Sequence, residues 1–197
     1  LDALIEAMPG TRALVVANFR PEYRADWMGR AHYVQLPVVP LGAPATEALL
    51  GEFLGEHPSL NGLPDEIRRR TGGNPFFIEE VVRTLEEEGV LDGERGAFTL
   101  ARSLDAVTVP PTVQAVLAAR IDRLSTREKR LLQSAAVLGR EFGEPVLERV
   151  AELSPPDLAA ALRALTSSDF LYQQALYPEP KYAFRHPLTH EVAYGSQ

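Results

Sequence analysis

The sequence predicts a mainly α-helical protein with a small α/β sheet remnant at its start and a winged-helix domain at its end. From Ala45 onward, apolar residues recur at the spacing of helices. Before that point, the continuous apolar run Arg12 to Phe19 (RALVVANF) is typical of a strand buried in a parallel sheet. After Val109, four helical patterns precede two strand-like runs, and three helices followed by a hairpin is the element order of a winged helix.

The first segment, residues 1–41, combines one helix with two strands. Leu1 to Met8 has helical spacing and is followed by the strand at 12–19. A weaker strand is predicted at Tyr33 to Leu36 (YVQL). A helix, a turn and a buried strand make half of an α/β unit. The chain begins inside a helical pattern and ends inside another, so we expect it to be an internal piece of a larger protein.

The middle segment, residues 42–108, is predicted to be helical. Two short helices over Thr46 to Leu54 and Pro64 to Thr71 lead to Gly72-Gly73, which breaks the chain. Asn74 is then a suitable N-cap, and Pro75 takes the first helical position. The next helix has a broad apolar face formed by Phe76, Phe77, Ile78, Val81, Val82 and Leu85.

Two side-chain patterns in these helices favour purely structural roles. Aromatic residues at helix or strand periodicity usually pack inside a protein, so we expect core positions for Phe76, Phe77, Phe142 and Phe170. The run Glu86-Glu87-Glu88 is interpreted as a solvated helix face.

The last segment, residues 109–197, carries the elements of the predicted winged helix. Its helices are expected over Thr112 to Leu124, Ser125 to Gly139, Glu144 to Leu153 and Pro155 to Thr166, its strands over Phe170 to Gln174 and Tyr182 to Arg185, with a turn at Tyr177 to Pro180 and a last helix from Pro187.

Composition excludes several classes of function. The net charge is -7 over 197 residues, so the overall field does not attract nucleic acid or anionic lipid. The absence of cysteine excludes disulfides and cysteine-based metal sites. No apolar run is long enough to span a bilayer. We therefore expect a cytoplasmic protein with neither a nucleic-acid nor a membrane partner.

Motifs for self-contained catalysis are absent from the sequence. It has neither a G-x-x-x-x-G-K-[ST] phosphate loop nor an H-E-x-x-H metal motif, so no catalytic residue is predicted. His186 and His190 are four residues apart and could hold a metal from one helix face. Because no third ligand is evident and Pro187 starts the helix after His186, a metal-free histidine pair is the favoured interpretation.

Five blocks of sequence carry a resemblance to one protein family. They are RALVVANFRPEY at 12–23, YVQLPVVPL at 33–41, RTGGNPFFIEEVVRTLEEEGVL at 70–91, VPPTVQAVLAARIDRLSTREKRLLQSAAVLGREF at 109–142 and YAFRHPLTHEVAY at 182–194. On these blocks the chain resembles the STAND class of P-loop ATPases, which are signalling relatives of AAA proteins. More narrowly, it is similar to the ATPase region attached to bacterial class III adenylate or guanylate cyclases and to large LuxR-type regulators.

This resemblance implies a domain organisation and a function. Residues 1–41 would be the end of the P-loop α/β domain, 42–108 a helical lid, and 109–197 the winged helix. The intact protein would bind ATP or ADP with Mg²⁺ and act as a nucleotide-dependent switch. The implied partners are a P-loop half with its Walker A and B segments, N-terminal to Leu1, and an effector domain in the same polypeptide. The chain alone would have no ATPase activity.

Arg20 is the first candidate site residue. It directly follows the predicted strand at 12–19, and ligands bind at the carboxyl ends of strands in α/β sheets. A guanidinium group suits phosphate, and the resemblance makes Arg20 the sensor 1 arginine. The alternative is a surface arginine paired with Glu22 or Asp26.

The lid contributes Gly73, Asn74 and Pro75. Locally, they end one helix and begin the next. The resemblance adds that the ring of Pro75 packs against adenine, which makes this part of the site apolar.

His186 is the candidate from the winged helix. It stands at the predicted start of the last helix, where anions are favoured. The resemblance equates it with the histidine of a methionine-histidine-aspartate motif that contacts the β-phosphate of ADP. Here Arg185 replaces the methionine and Pro187 the aspartate. The alternative is a histidine that caps the helix or fills a gap.

Two other functions remain open. A winged helix can bind DNA, but the candidate recognition helix, Pro155 to Thr166, offers Arg163 as its one cation, opposed by Asp157. The wing, QALYPEPKY, has one lysine and one glutamate. A pure protein-interaction module is the remaining alternative.

Overall fold

The computed structural model describes residues 1–20, 22–103, 109–176 and 179–197. They form two compact units, residues 1–39 and 40–197. The described chain is mainly helical with two small antiparallel sheets, which confirms the predicted fold class. Within the described ranges, no helix combines the length and apolarity that crossing a membrane requires.

The first unit is built around one buried tryptophan. It begins with helix α1 (Asp2–Glu6) and contains a 3₁₀ turn at Asp26–Gly29, which carries Trp27. The rings of Phe19, Tyr23 and Tyr33 lie 6.2, 6.3 and 5.5 Å from the Trp27 ring, measured between centroids. Packed aromatic rings of this kind hold a small unit together.

The two strands predicted in this unit are not found. Among residues 1–20 and 22–39, neither 12–19 nor 33–36 takes part in a β-ladder. Apart from Phe19 and Tyr33, which are half-buried, their apolar side chains are exposed, with 86% of Leu14 and 82% of Leu36 accessible to solvent. A strand buried on both faces needs a neighbouring strand, and the described part of this unit supplies none.

The second unit begins with a three-helix layer and a small hairpin. Its elements are α2 (Ala43–Leu54), a 3₁₀ turn (Pro58–Leu60), α3 (Leu63–Thr71), α4 (Pro75–Glu87), β1 (Leu91–Asp92) and β2 (Thr99–Leu100). The helices share a hydrophobic core in which Leu54, Leu63, Ile67 and Ile78 are fully buried. Each such side chain contributes about 1.5–3 kcal/mol relative to an exposed one. The predicted apolar face of α4 is confirmed for all its members except Phe76, which is half-buried.

The second unit continues as a winged helix with its own core. Its elements are α5 (Val113–Arg123), α6 (Thr126–Leu138), β3 (Glu141–Gly143), α7 (Glu144–Ala151), α8 (Pro155–Ser167), β4 (Leu171–Ala175), β5 (Lys181–Phe184) and α9 (Pro187–Gly195). The strands pair antiparallel in the order β3-β5-β4. The predicted hairpin is confirmed with its ends shifted by one residue, whereas β3 was not predicted. The predicted turn at 177–180 lies partly outside the described residues.

Helix α5 belongs to both cores of the second unit. Val116 packs in the first core and Ile121 in the second. Between them, Arg120 is buried, with 1% of its side chain exposed. Its Nη1 donates to Glu80 Oε2 of α4 at 2.5 Å, and its Nη2 donates to Glu87 Oε1 at 2.8 Å. Glu87 is therefore not simply part of a solvated face, because it pairs with a buried cation.

The Arg120 guanidinium also reaches the turn between α8 and β4. Its Nη2 donates to the Ser168 carbonyl oxygen at 2.8 Å, and it lies 4.7 Å from the centroid of the Phe170 ring. Burial raises the pKa of the Glu80 carboxyl above its usual value, although the charge of Arg120 opposes this effect. Burial acts to lower the pKa of Arg120, but Glu87 and Glu80 outweigh it, so the guanidinium stays charged.

We predict that this buried bridge dominates the stability of residues 40–197. Arg120→Met leaves Glu80 buried without a cation and should lower the free energy of unfolding by about 3–5 kcal/mol. The double variant Arg120→Met/Glu80→Met should recover most of that loss, because no buried charge is stranded. Urea denaturation provides the measurement.

The matched control is Arg68→Met, which removes a half-buried arginine paired with the exposed carboxylates of Glu47 and Asp65. It should cost no more than about 1 kcal/mol. An Arg120→Met loss no larger than that of the control would contradict the prediction.

Candidate functional site

A cleft of about 190 Å³ lies in the second unit, between the first turns of α4 and the junction of β5 with α9. Its walls combine an aromatic ring, an imidazole, two arginines and two glutamates. The lining residues are Phe76, Glu79, Glu80, Arg83, Arg185 and His186.

The rings of Phe76 and His186 are stacked across this cleft. Their centroids are 3.8 Å apart and their planes differ by 12°. Phe76 was predicted to be a core residue, but it lies at the cleft because it is the second residue of α4 and faces the winged helix. The contact joins the predicted lid to the predicted winged helix.

His186 caps helix α9, as one of the predicted alternatives expects. Its Nδ1 accepts a hydrogen bond from the Leu188 N–H at 3.1 Å. Burial lowers the pKa of the imidazole, while the charge of Glu191 acts in the opposite direction. Because Nδ1 accepts a hydrogen bond, the neutral ring carries its proton on Nε2, which can donate to a ligand.

The three predicted lid residues set the position of Phe76. Gly73 has φ +77°, and an added Cβ would lie 2.3 Å from the Leu41 carbonyl oxygen, so only glycine fits there. Asn74 Oδ1 accepts from the Phe77 N–H at 3.1 Å, which confirms the predicted N-cap. Pro75 is exposed at the first helical position. These residues fix where α4 begins.

Arg20 lies in the first unit, whereas the other four candidates lie in the second. Its side chain is exposed, and its carbonyl accepts a hydrogen bond from the Tyr23 N–H at 3.0 Å. Within the described ranges, Arg20 forms no ion pair with Glu22 or Asp26, so the predicted pairing is not found.

Sequence reasoning missed an ion-pair cluster beside the cleft. Arg83 Nη2 lies 2.7 Å from Asp169 Oδ2 and 3.8 Å from Glu79 Oε1. Arg185 Nε lies 3.9 Å from Asp169 Oδ1. These residues come from α4, from the turn after α8 and from the loop before α9, so no local pattern reveals the cluster.

The histidine pair is engaged in other contacts. His190 Nε2 lies 2.9 Å from the Ala136 carbonyl oxygen, while His186 Nδ1 accepts from the backbone. Among the residues that the structure describes, no group of three or more acidic, histidine or cysteine side chains is arranged to hold a metal.

A larger cleft of about 310 Å³ lies elsewhere, between α8 and the hairpin of the winged helix. It contains none of the predicted site residues. Arg163 of α8 lines it, while Leu158, Leu162 and Leu165 of the same helix are buried in the core. Helix α8 therefore offers little charge for a nucleic-acid backbone.

One comparison with known protein families gave a match. Residues 44–97 match a domain of unknown function (DUF8739). The matched segment runs from α2 into the first hairpin and includes Gly73, Asn74 and Pro75. No curated protein matches the chain. No solved structure matches it either.

We predict a pH-dependent contribution of His186 to stability. Its pKa is lower in the folded protein than in the unfolded chain, so the unfolded state takes up the proton first as the pH falls through about 6.5. The contribution is therefore complete above that pH and is lost below it.

His186→Asn keeps a capping acceptor but removes the titrating group. Between pH 7.5 and 5.5, the free energy of unfolding should fall further for the parent than for this variant, as measured by urea denaturation. Equal losses in the two proteins would contradict the assignment.

Proposed function

We propose that residues 1–197 form the lid and winged-helix part of a nucleotide-dependent signalling switch of the STAND class. The observation that carries this proposal is the stack between Phe76 and His186. It places the first turn of the proposed lid helix, next to Pro75, against the proposed phosphate-contacting histidine. Two segments that the resemblance assigns to one nucleotide site are therefore neighbours within residues 40–197.

The residues of the cleft fit a nucleoside diphosphate in two respects. Phe76 in the cleft and Pro75, which precedes it and is exposed at the start of α4, offer an apolar surface for a base. His186 Nε2–H, Arg83 and Arg185 are donors that suit phosphate oxygens. The Glu80 carboxylate repels a phosphate only weakly, because the charge of Arg120 neutralises that of Glu80. In this proposal Arg20 reports the γ-phosphate, and Mg²⁺ is held by the acidic residues of the phosphate-binding half.

The exposed apolar segments of the first unit support the same proposal. Leu14, Val16, Leu36 and Val38 lie on unpaired segments, with 85% of Val16 exposed. Side chains of this kind are the ones that pack inside a parallel sheet. We propose that the P-loop half of the same polypeptide supplies the sheet that these segments join.

The output of the switch would depend on how differently ADP and ATP bind to the two arrangements of the protein. A nucleotide can shift the protein only by binding two arrangements with different affinities. Contacts of His186 with ADP would favour one arrangement, and loss of those contacts would release an effector, such as a nucleotide cyclase. An ATP-dependent switch of this type acts in the cytoplasm. The proposed function requires neither nucleic acid nor a membrane.

ADP binding by the full-length polypeptide tests the nucleotide site. Pro75→Gln removes the surface for the base, and His186→Asn removes the Nε2 donor while it keeps the helix cap. Each should weaken ADP binding roughly tenfold, as expected for the loss of one hydrogen bond or a small apolar contact. Isothermal titration calorimetry gives the affinities.

The matched control is Pro155→Gln, because Pro155 occupies the same first position of a helix, α8, away from the cleft. It should leave ADP affinity unchanged. Unaltered affinity in both Pro75→Gln and His186→Asn would reject the nucleotide site.

We further predict that the chain 1–197 hydrolyses no ATP. It has no phosphate loop, and hydrolysis depends on a cradle that holds the β- and γ-phosphates with Mg²⁺. Release of inorganic phosphate by the purified chain is the measurement. Turnover that persists at constant specific activity through successive purification steps would refute the proposed division of roles.

A further inference from the structure

One carboxylate holds both arginines of the cleft. Asp169 Oδ2 lies 2.7 Å from Arg83 Nη2, and Asp169 Oδ1 lies 3.9 Å from Arg185 Nε. Arg83 comes from the lid helix α4, and Arg185 directly precedes His186. The two guanidinium groups that could meet a phosphate are thus already in contact with a protein anion.

The backbone fixes Asp169 in this place. It has φ +56°, an uncommon value for a residue other than glycine, and its N–H donates to the Thr166 carbonyl oxygen at 3.1 Å. The preceding carbonyl, that of Ser168, accepts from the buried Arg120 at 2.8 Å. The position of the carboxylate is therefore determined by the turn that carries it.

The charges around Arg83 and Arg185 are balanced in this arrangement. Asp169 and Glu79 offset the two arginines, and Glu80 is paired with Arg120. A phosphate group would gain no net attraction from such a set. Removal of the Asp169 charge leaves one uncompensated positive charge, although Glu79 remains 3.8 Å from Arg83. The guanidinium groups of Arg83 and Arg185 then lose their shared carboxylate, and such groups suit phosphate oxygens as well as they suit a carboxylate.

We propose that Asp169 is a resident counter-anion that competes with a phosphate-bearing ligand for Arg83 and Arg185. The cleft can bind phosphate groups when Asp169 releases the two arginines. When Asp169 binds both arginines, it holds the lid and the winged helix together. The inference deepens the proposed function, because it rests on the phosphate role given there to the cleft.

Binding of inorganic pyrophosphate to the chain 1–197 tests the competition directly. Asp169→Asn keeps the size of the side chain and tolerates a positive φ, and Asp169→Gly accepts that φ without strain. Both should bind pyrophosphate roughly tenfold more tightly than the parent in low salt, the effect of one removed competing charge. Titration calorimetry gives the affinities, and ring proton NMR resonances of Phe76 and His186 locate the site.

Asp157→Asn is the matched control. It removes the same single charge from the same domain, at an acid that pairs with Arg127 at 2.8 Å and does not line the cleft. Its pyrophosphate affinity should equal that of the parent. In the Asp169→Asn background, Arg83→Gln and Arg185→Gln should each remove most of the gain.

Three results would overturn the proposal. They are an affinity in both Asp169 variants no higher than in the control, a gain that survives the loss of both arginines, and a gain without movement of the Phe76 and His186 resonances. The test needs neither ADP nor the P-loop half. A full-length protein that binds no ADP would therefore defeat the nucleotide proposal and leave the pyrophosphate result standing, and the reverse also holds.

Discussion

The second unit depends on one buried cation, the guanidinium of Arg120. It stands on the helix that is shared by the two hydrophobic cores, and it contacts α4 on one side and the turn after α8 on the other. A buried charge is costly unless it is paired and fully hydrogen-bonded, and Arg120 meets this requirement with two carboxylates and one carbonyl. Separation of α4 from α5 would strand both Arg120 and Glu80. The bridge therefore fixes the orientation of α4 against the winged helix.

The geometry of the cleft depends on this bridge. Ser168 accepts from Arg120, and also from Arg83 at 3.4 Å, and the next residue, Asp169, holds Arg83 and Arg185. Arg185 in turn precedes His186, whose ring is stacked on Phe76 of α4.

A displacement of the turn at Ser168 and Asp169 would change both the buried bridge and the charges that face the cleft. The proposed switch would therefore have two arrangements. In one, Asp169 binds the two arginines, and in the other, a ligand binds them.

Local chemistry made most of the helices predictable, while non-local pairing made the rest unpredictable. Asn74 and Pro75 mark the start of α4, and the N-cap formed by Asn74 is present in the structure, because a cap involves only a few consecutive residues. Strand β3 has three residues and is defined by its pairing with β5, so no alternation reveals it. The apolar run at 12–19 has the composition of a buried strand but no ladder partner among the described residues, and a strand requires both.

The candidate site divides in the same way. Gly73 and Asn74 have local tasks that the sequence states directly, namely a positive φ and a helix cap. Glu87 was interpreted as part of a solvated face because its partner, Arg120, lies 33 residues away in the chain. Two helices, α4 and α9, begin at the cleft with their positive dipole ends, but the capping atoms of Asn74 and His186 already take one N–H each. In the proposal, an anion is therefore attracted mainly by the arginine side chains once Asp169 releases them, and arginine side chains, unlike a helix end, can exchange one anion for another.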